Sequence, residues 1–340
     1  MSKVVIIAEA GVNHNGDMSR AKQMIDVAAE AGADYVKFQS FKADKLVSPQ
    51  AKKADYQLRN MTDQDDNQFN MLKQLELSHE DHLILMDYCR QQNIKFLSTA
   101  FDAKGVSYLD ELGLDLLKSP SGEITNYPYL KALAHTGKPV VLSSGMAELE
   151  EIEASLKVLE IFGMVRNQVT VLHCNTEYPT PMEDVNLKAM NSIGRELGVM
   201  VGYSDHTLGI EVPVAAVAIG ATIIEKHFTL NRELPGPDHK ASLEPCELKS
   251  MVDAIRNVEL AVSGDGLKRA SASEEKNKVI ARKSLHLSTK VKAGQKIDER
   301  NIVPLRPGDG ISPMHWEDLL KKKAVRDLPV YHKLTWDDLI

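Results

Sequence analysis

VVIIAEAGVNHNG, residues 4–16, opens as an apolar β-type run and passes straight into a polar turn. That turn decides between two parallel α/β architectures. A doubly wound open sheet carries a Gly-rich phosphate turn, GxGxxG, after its first strand; AEAGVNHNG (8–16) is not that pattern. Outward from this stretch, similar runs recur at 34–40, 95–101, 114–120, 139–145, 169–174, 199–205 and 222–228, which makes eight with the first. Most are separated by stretches with apolar residues at helical spacing, such as 19–33 and 149–163, several stopped by glycine. Strands that are continuously apolar, alternating with helices, describe a parallel sheet covered on its outer face. Eight units predict a closed (β/α)₈ TIM barrel over residues 1–265.

The segment 41–78, rich in Gln, Asn, Asp and Lys, interrupts this rhythm and is expected to be a loop over the barrel top, able to act as a lid. Residues 266–281 are polar and read as a linker; 282–340 are short-stranded and turn-rich, a small α+β module. With 340 residues, 43% hydrophobic and 26% charged, the composition is that of an ordinary globular protein. No apolar run approaches the roughly 18 residues that cross a bilayer, and the N-terminus lacks a cleaved-signal pattern, so a cytoplasmic protein without a membrane partner is expected. Cys89, Cys174 and Cys246 are odd in number and far apart, which predicts reduced thiols. The net charge of −7 argues against nucleic acid. It is unevenly spread: residues 281–340 hold 12 Lys+Arg against 8 Asp+Glu (+4), and the rest 29 against 40 (−11), so tail and body can dock on each other or on a second copy.

In such a barrel the chemistry gathers where the strands end. Every predicted strand here ends in polar residues: Glu9; Lys37 and Gln39; Ser98 and Thr99; Lys118, Ser121 and Glu123; Ser143 and Ser144; His173 and Asn175; Ser204, Asp205 and His206; Glu225, Lys226 and His227. Lys37 and Lys118 lie inside otherwise apolar runs, and a buried ammonium demands a partner. Together with serines and threonines they predict a cradle for phosphate and carboxylate, the two groups of phosphoenolpyruvate. His206 and His227 end adjacent strands and can share a divalent cation whose remaining positions water and substrate fill.

AEAGVNHNG, VKFQ, STAFD, KSPSGEITNYP, LSSGM, LHCNTEYPTP, GYSDHT, EKHFTL, GPDHKASLEP and RPGDGISP, in this order, closely resemble the sialic acid synthase family from end to end. The resemblance implies a barrel followed by an antifreeze-like (SAF) module, in a homodimer that exchanges these modules. It implies condensation of phosphoenolpyruvate with an N-acetylated amino-hexose: N-acetylmannosamine, or alternatively 2,4-diacetamido-2,4,6-trideoxymannose giving a diacetyllegionaminic acid. A divalent metal is implied as cofactor, manganese foremost, with magnesium or cobalt as alternatives. Carried over by motif, Lys37, Thr99, Lys118, Ser121, Ser143 and Ser204 resemble the phosphoenolpyruvate contacts, and His206 and His227 the metal ligands. Asn175 is carried over with them, displaced by one position relative to relatives that read Thr-Asn-Ile before the tyrosine. Glu9, Gln39, Tyr178 and Asp238 resemble residues around the acceptor; Arg306 resembles an arginine that reaches in from the partner's module; Glu123 is a candidate acid or base. A non-catalytic sugar-binding protein is the alternative of another class, suggested by the tail alone.

Overall fold

A computed structural model describes residues 3–61 and 66–340. The chain forms two units, the first ending at Ser263 and the second spanning Gly264–Ile340. In the first, β1 (Val5–Gly11), β2 (Tyr35–Ser40), β3 (Lys95–Ala100), β4 (Leu117–Ser119), β5 (Val140–Ser143), β6 (Val169–Cys174), β7 (Met200–Asp205) and β8 (Ile223–His227) close into a barrel in sequence order. All neighbours pair parallel, and β1 completes the ring against β8. Each strand is followed in sequence by a helix before the next begins, the last being Pro245–Ala261. The apolar runs account for this: Ile6, Val36, Leu97, Val141, Val171 and Ile224 are all buried in one continuous core, so the strands cannot present a face to water.

The β register aligns the functional positions. Glu9 is opposite both Lys37 and His227, Gln39 opposite Thr99, Thr99 opposite Lys118, and Ser204 opposite Glu225. β4 (Leu117–Ser119) is shorter than the predicted 114–120; it stops at Ser119 because Pro120 has no N–H to continue the ladder. One glycine is forced by packing: a Cβ at Gly202 would lie 2.4 Å from the carbonyl oxygen of Ile223 on β8.

The insert expected as a loop at 41–78 is more ordered than that. It holds the short helices Ala43–Leu46, Asp55–Asn60 and Gln68–Leu75, with residues 62–65 outside the described part. It has its own apolar cluster, in which Phe41, Met71, Leu72 and Leu75 pack with Val12 from the turn after β1.

The linker expected at 266–281 is corrected too: Ala272–Ala281 is a helix. Its start is set by Ser271 and Glu274, whose carboxylate accepts from the Ser271 N–H at 2.8 Å, a capping interaction that the polar composition concealed. The remainder of the second unit is built on β9 (Ser284–Leu287) paired antiparallel with β10 (Ile302–Leu305). It encloses a core of its own, including Leu285, Leu287, Ile297, Ile311 and Leu334. Among the described residues no helix is long and apolar enough to cross a membrane.

Candidate active site at the barrel mouth

A cavity of about 650 Å³ opens at the C-terminal ends of the strands, and its floor is charged. Lys37 Nζ lies 3.1 Å from Glu9 Oε2 and 3.3 Å from Glu225 Oε2, and donates to Thr99 Oγ1 at 2.9 Å. Lys118 Nζ donates to Ser143 Oγ at 2.6 Å and lies 3.7 Å from Glu225 Oε1, which also accepts from Ser204 Oγ. All four charged side chains are at most 5% exposed as residues. Burial works to depress Lys37, but Glu225 and Glu9 outweigh it and hold the ammonium above its usual range. Lys118 has fewer anionic neighbours and burial lowers it. Glu225 is held below the carboxylate range because Lys118 and Lys37 overcome its burial, whereas burial pushes Glu9 up to about 7 against the pull of Lys37. Two ammoniums buried side by side, held by carboxylates, hydroxyls and, for Lys118, the carbonyl of Ser119, have the chemistry to receive an anion with two charged groups.

His206 and His227 stand beside this floor with ring centroids 5.5 Å apart. The Nδ1 of His206 meets the backbone carbonyl of Asn175, which can only accept. That bond puts the proton on Nδ1 and leaves the lone pair on Nε2, the tautomer control usual for a metal-binding imidazole. The Nδ1 of His227 is buried without a hydrogen-bond partner. Burial lowers His206 to about 4 and His227 well below its ordinary value, so both rings are neutral at physiological pH, as a metal ligand must be. The described residues contain no group of three His, Cys, Asp or Glu suited to a metal. The donors present therefore fit a two-imidazole, open site, in which water or substrate supplies the rest.

Between these residues in sequence, but on the other side of the strands, lies a second charged pair. Lys226 donates to Asp205 and to the carbonyl of Thr207, and Thr207 in turn donates to Asp205 through both its N–H and its hydroxyl. All three residues are fully buried, and they pin the ends of β7 and β8 behind the two imidazoles.

The remaining wall is aromatic and amide-lined. Tyr178 lies 4.0 Å, centroid to centroid, from His206 and stacks at 4.9 Å on Tyr56 of the insert. Gln39 donates to Glu9 at 3.3 Å. Asp238 is buried beside Tyr56 and is pushed up to about 7 by that burial. Glu123, half-buried and bonded to Asn126, is raised by burial as well. Ser121 accepts from the Gly145 N–H at 2.9 Å, and a Cβ at Gly145 would lie 2.6 Å from Thr176. Two bonds tie the insert across the mouth: Asn60 donates to the carbonyl of Pro237 at 2.8 Å, and Arg59 pairs with Glu177.

Of the residues singled out in the sequence, Glu9, Lys37, Gln39, Thr99, Lys118, Ser121, Glu123, Ser143, Tyr178, Ser204, His206, His227 and Asp238 all line this cavity. Asn175 does not, and its expected substrate contact is corrected. Its Oδ1 accepts from Glu177 N at 2.7 Å, so the side chain caps its own turn, and only its carbonyl serves the site, through His206. Arg306 belongs to the second unit, where its Nε donates to Ala281 O at 3.0 Å. Among the lining residues to which the sequence reading gave no role are Glu225 and Tyr56. Glu225 shares the inward side of β8 with His227, two positions on, a signal that the strand alternation carried. Tyr56 lies in an insert whose polar composition gave no such signal.

The sequence profile of the NeuB family matches residues 24–268, and that of the SAF domain residues 282–340. The chain belongs to the NeuB family. It is thus an enzyme of the sialic acid synthase family, as its motifs had suggested. Among the NeuB-family relatives, the N,N'-diacetyllegionaminic acid synthase of Campylobacter jejuni is 53% identical over 96% of this chain and 97% of its own. The protein of that name from Legionella pneumophila is 43% identical over 98% and 94%. The crystal structure of the N-acetylneuraminic acid synthetase of Leptospira borgpetersenii, in complex with citrate, superposes with a TM-score of 0.71 at 36% identity, covering 81% of this chain and 90% of that one.

Proposed function

We propose that this NeuB-family enzyme condenses phosphoenolpyruvate with 2,4-diacetamido-2,4,6-trideoxymannose, giving N,N'-diacetyllegionaminic acid and phosphate. The observation that carries the condensation is the paired buried ammoniums of Lys37 and Lys118 beside two neutral imidazoles. The names of the two relatives favour this acceptor over N-acetylmannosamine, the first choice from sequence.

Lys37 and Lys118 hold the phosphate and carboxylate, which are both substituents at C2 of phosphoenolpyruvate, and so fix the direction in which C3 faces the sugar aldehyde. A divalent ion, manganese foremost with magnesium or cobalt as alternatives, would be held by His206 and His227 and supplies Lewis-acid polarisation of that aldehyde. C3 then bonds to C1 of the sugar, positive charge develops at C2, water adds there, and the adduct expels phosphate by C–O cleavage. Glu123, a carboxyl whose hold on protons burial strengthens, takes the proton that the water gives up. Gln39, Tyr178 and Asp238 surround the acceptor, with Glu9 bonded to Gln39 beneath it.

Arg306 serves the acceptor's N-acetyl group from the module of a second copy, in a homodimer. The basic tail and acidic body support that exchange. Phosphate release with the two acceptors side by side, product masses recorded, tests the reading. Turnover with the diacetamido sugar is expected. Turnover with N-acetylmannosamine alone reverses the choice of acceptor, and release with neither sugar, metal present, returns the sugar-binding alternative.

A further inference from the structure

The charged floor of the cavity is faced by a wall of a different kind. Leu46, Val47, Met71, Leu72 and Leu75, all from the insert after β2, line the same cavity together with Phe101, which follows β3. They belong to an apolar cluster separate from the barrel core. Met71, Leu72 and Leu75 occupy one face of the helix Gln68–Leu75 and are each at most 9% exposed. The insert also puts Asp55, Tyr56, Gln57 and Gln68 into the lining, but none of these six side chains carries an oxygen or nitrogen, so a hydroxyl seated on the apolar patch itself has nothing there to bond.

We propose that this wall selects the acceptor at C6, admitting a 6-deoxy methyl group and disfavouring a 6-hydroxyl. The inference rests on the condensation reading, which fixes the sugar's orientation. C1 must lie at the floor, between the lysines and the imidazoles, because the new bond forms there. The far end of the chain, C4 to C6, is then directed away from the strand ends towards the insert. A methyl group there gains by leaving water. A hydroxyl loses its water bonds without replacement, a penalty that corresponds to roughly ten- to a hundredfold in relative rate.

The test compares kcat/KM for two acceptors that differ at C6 only: 2,4-diacetamido-2,4,6-trideoxymannose and its 6-hydroxy counterpart, 2,4-diacetamido-2,4-dideoxymannose. The protein as it stands is expected to favour the deoxy sugar by about ten- to a hundredfold. Leu72→Asn should cut that ratio to about threefold or less and leave KM for phosphoenolpyruvate unchanged, since Leu72 is on the insert helix and is not among the partners that hold either lysine. Should Leu72→Asn fail to fold, Val47→Thr decides, because it adds a hydroxyl at nearly constant shape to a residue that is only half-buried. Equal use of the two sugars by the unaltered protein, or a ratio unmoved in folded variants, overturns the inference and leaves the condensation standing. No phosphate release with either sugar overturns the condensation and this inference with it.

Discussion

Lys226 and His227 are neighbours on β8 that face opposite ways, and they predict opposite phenotypes. Lys226→Met leaves Asp205 buried without its counter-ion, which should cost about 3–5 kcal/mol in denaturant unfolding. His227→Ala removes a ring from an open cavity and should lose turnover while changing stability by less than about 1 kcal/mol. If His227→Ala unfolds the chain instead, the imidazole is a core residue and not a ligand. Chelation should likewise abolish phosphate release, with manganese restoring it; full turnover in excess chelator would remove the metal from the scheme. Acid sensitivity follows from three further histidines away from the cavity. His14, His82 and His239 are each lowered to about 4 by burial, below the 6.5 of an unfolded chain. A depressed folded value means stability that is present above about 6.5 and lost as pH falls towards 4. Glu9 and Asp238, raised to about 7, act in the opposite direction across nearly all of that range, but the three histidines outnumber them. Denaturant midpoints should therefore fall between pH 6.5 and 4; a flat profile would contradict the burial of these rings. At this scale the sequence was legible wherever strand alternation governs. Thirteen of the residues it named line one cavity because strand ends converge there, whereas Asn175 was misread because a turn can consume a side chain locally.

At the level of elements, the pairing of β7 with β8 is the joint that matters most, since it carries Ser204, His206, Glu225 and His227. Its tightness at Gly202 yields a direct test. Gly202→Ala places a methyl against the backbone of Ile223, which cannot rotate away, and should destabilise by about 1–3 kcal/mol. A change below about 0.5 kcal/mol in urea unfolding would show that the strands can separate without penalty. The strands and outer helices could be read in advance because a two-sided burial pattern and glycine stops leave a strong periodic trace. The insert and the helix Ala272–Ala281 could not. Their helices are short or, in the second case, without a buried face, so neither produces a long apolar period. Capping residues, not hydrophobicity, define where Ala272–Ala281 begins.

For the whole molecule, the consequential proposal is that one copy completes the site of another. Inactive His227→Ala chains mixed with acceptor-impaired Arg306→Ala chains should then recover activity, because one hybrid site receives an intact barrel and an intact arginine. Absence of recovery in verified heterodimers would place the arginine in its own chain's service and refute the exchange. Arg306→Ala alone should weaken acceptor use about ten- to a hundredfold, the worth of a charged hydrogen bond, with phosphoenolpyruvate affinity unchanged. High salt should loosen the assembly if opposite charge on tail and body holds it. The fold could be read at this scale because eight similar units repeat; the acceptor could not, since the wall proposed to select it comes from an insert that belongs to none of them. That insert begins and ends on the same side of the barrel, between β2 and the helix His79–Gln91, and lies outside the strand ladder. A lineage could therefore rewrite residues 41–78 and change its sugar without disturbing the bond-forming floor. Chimeras that graft this one segment between relatives offer a route to new nine-carbon acids on an unchanged catalytic chassis.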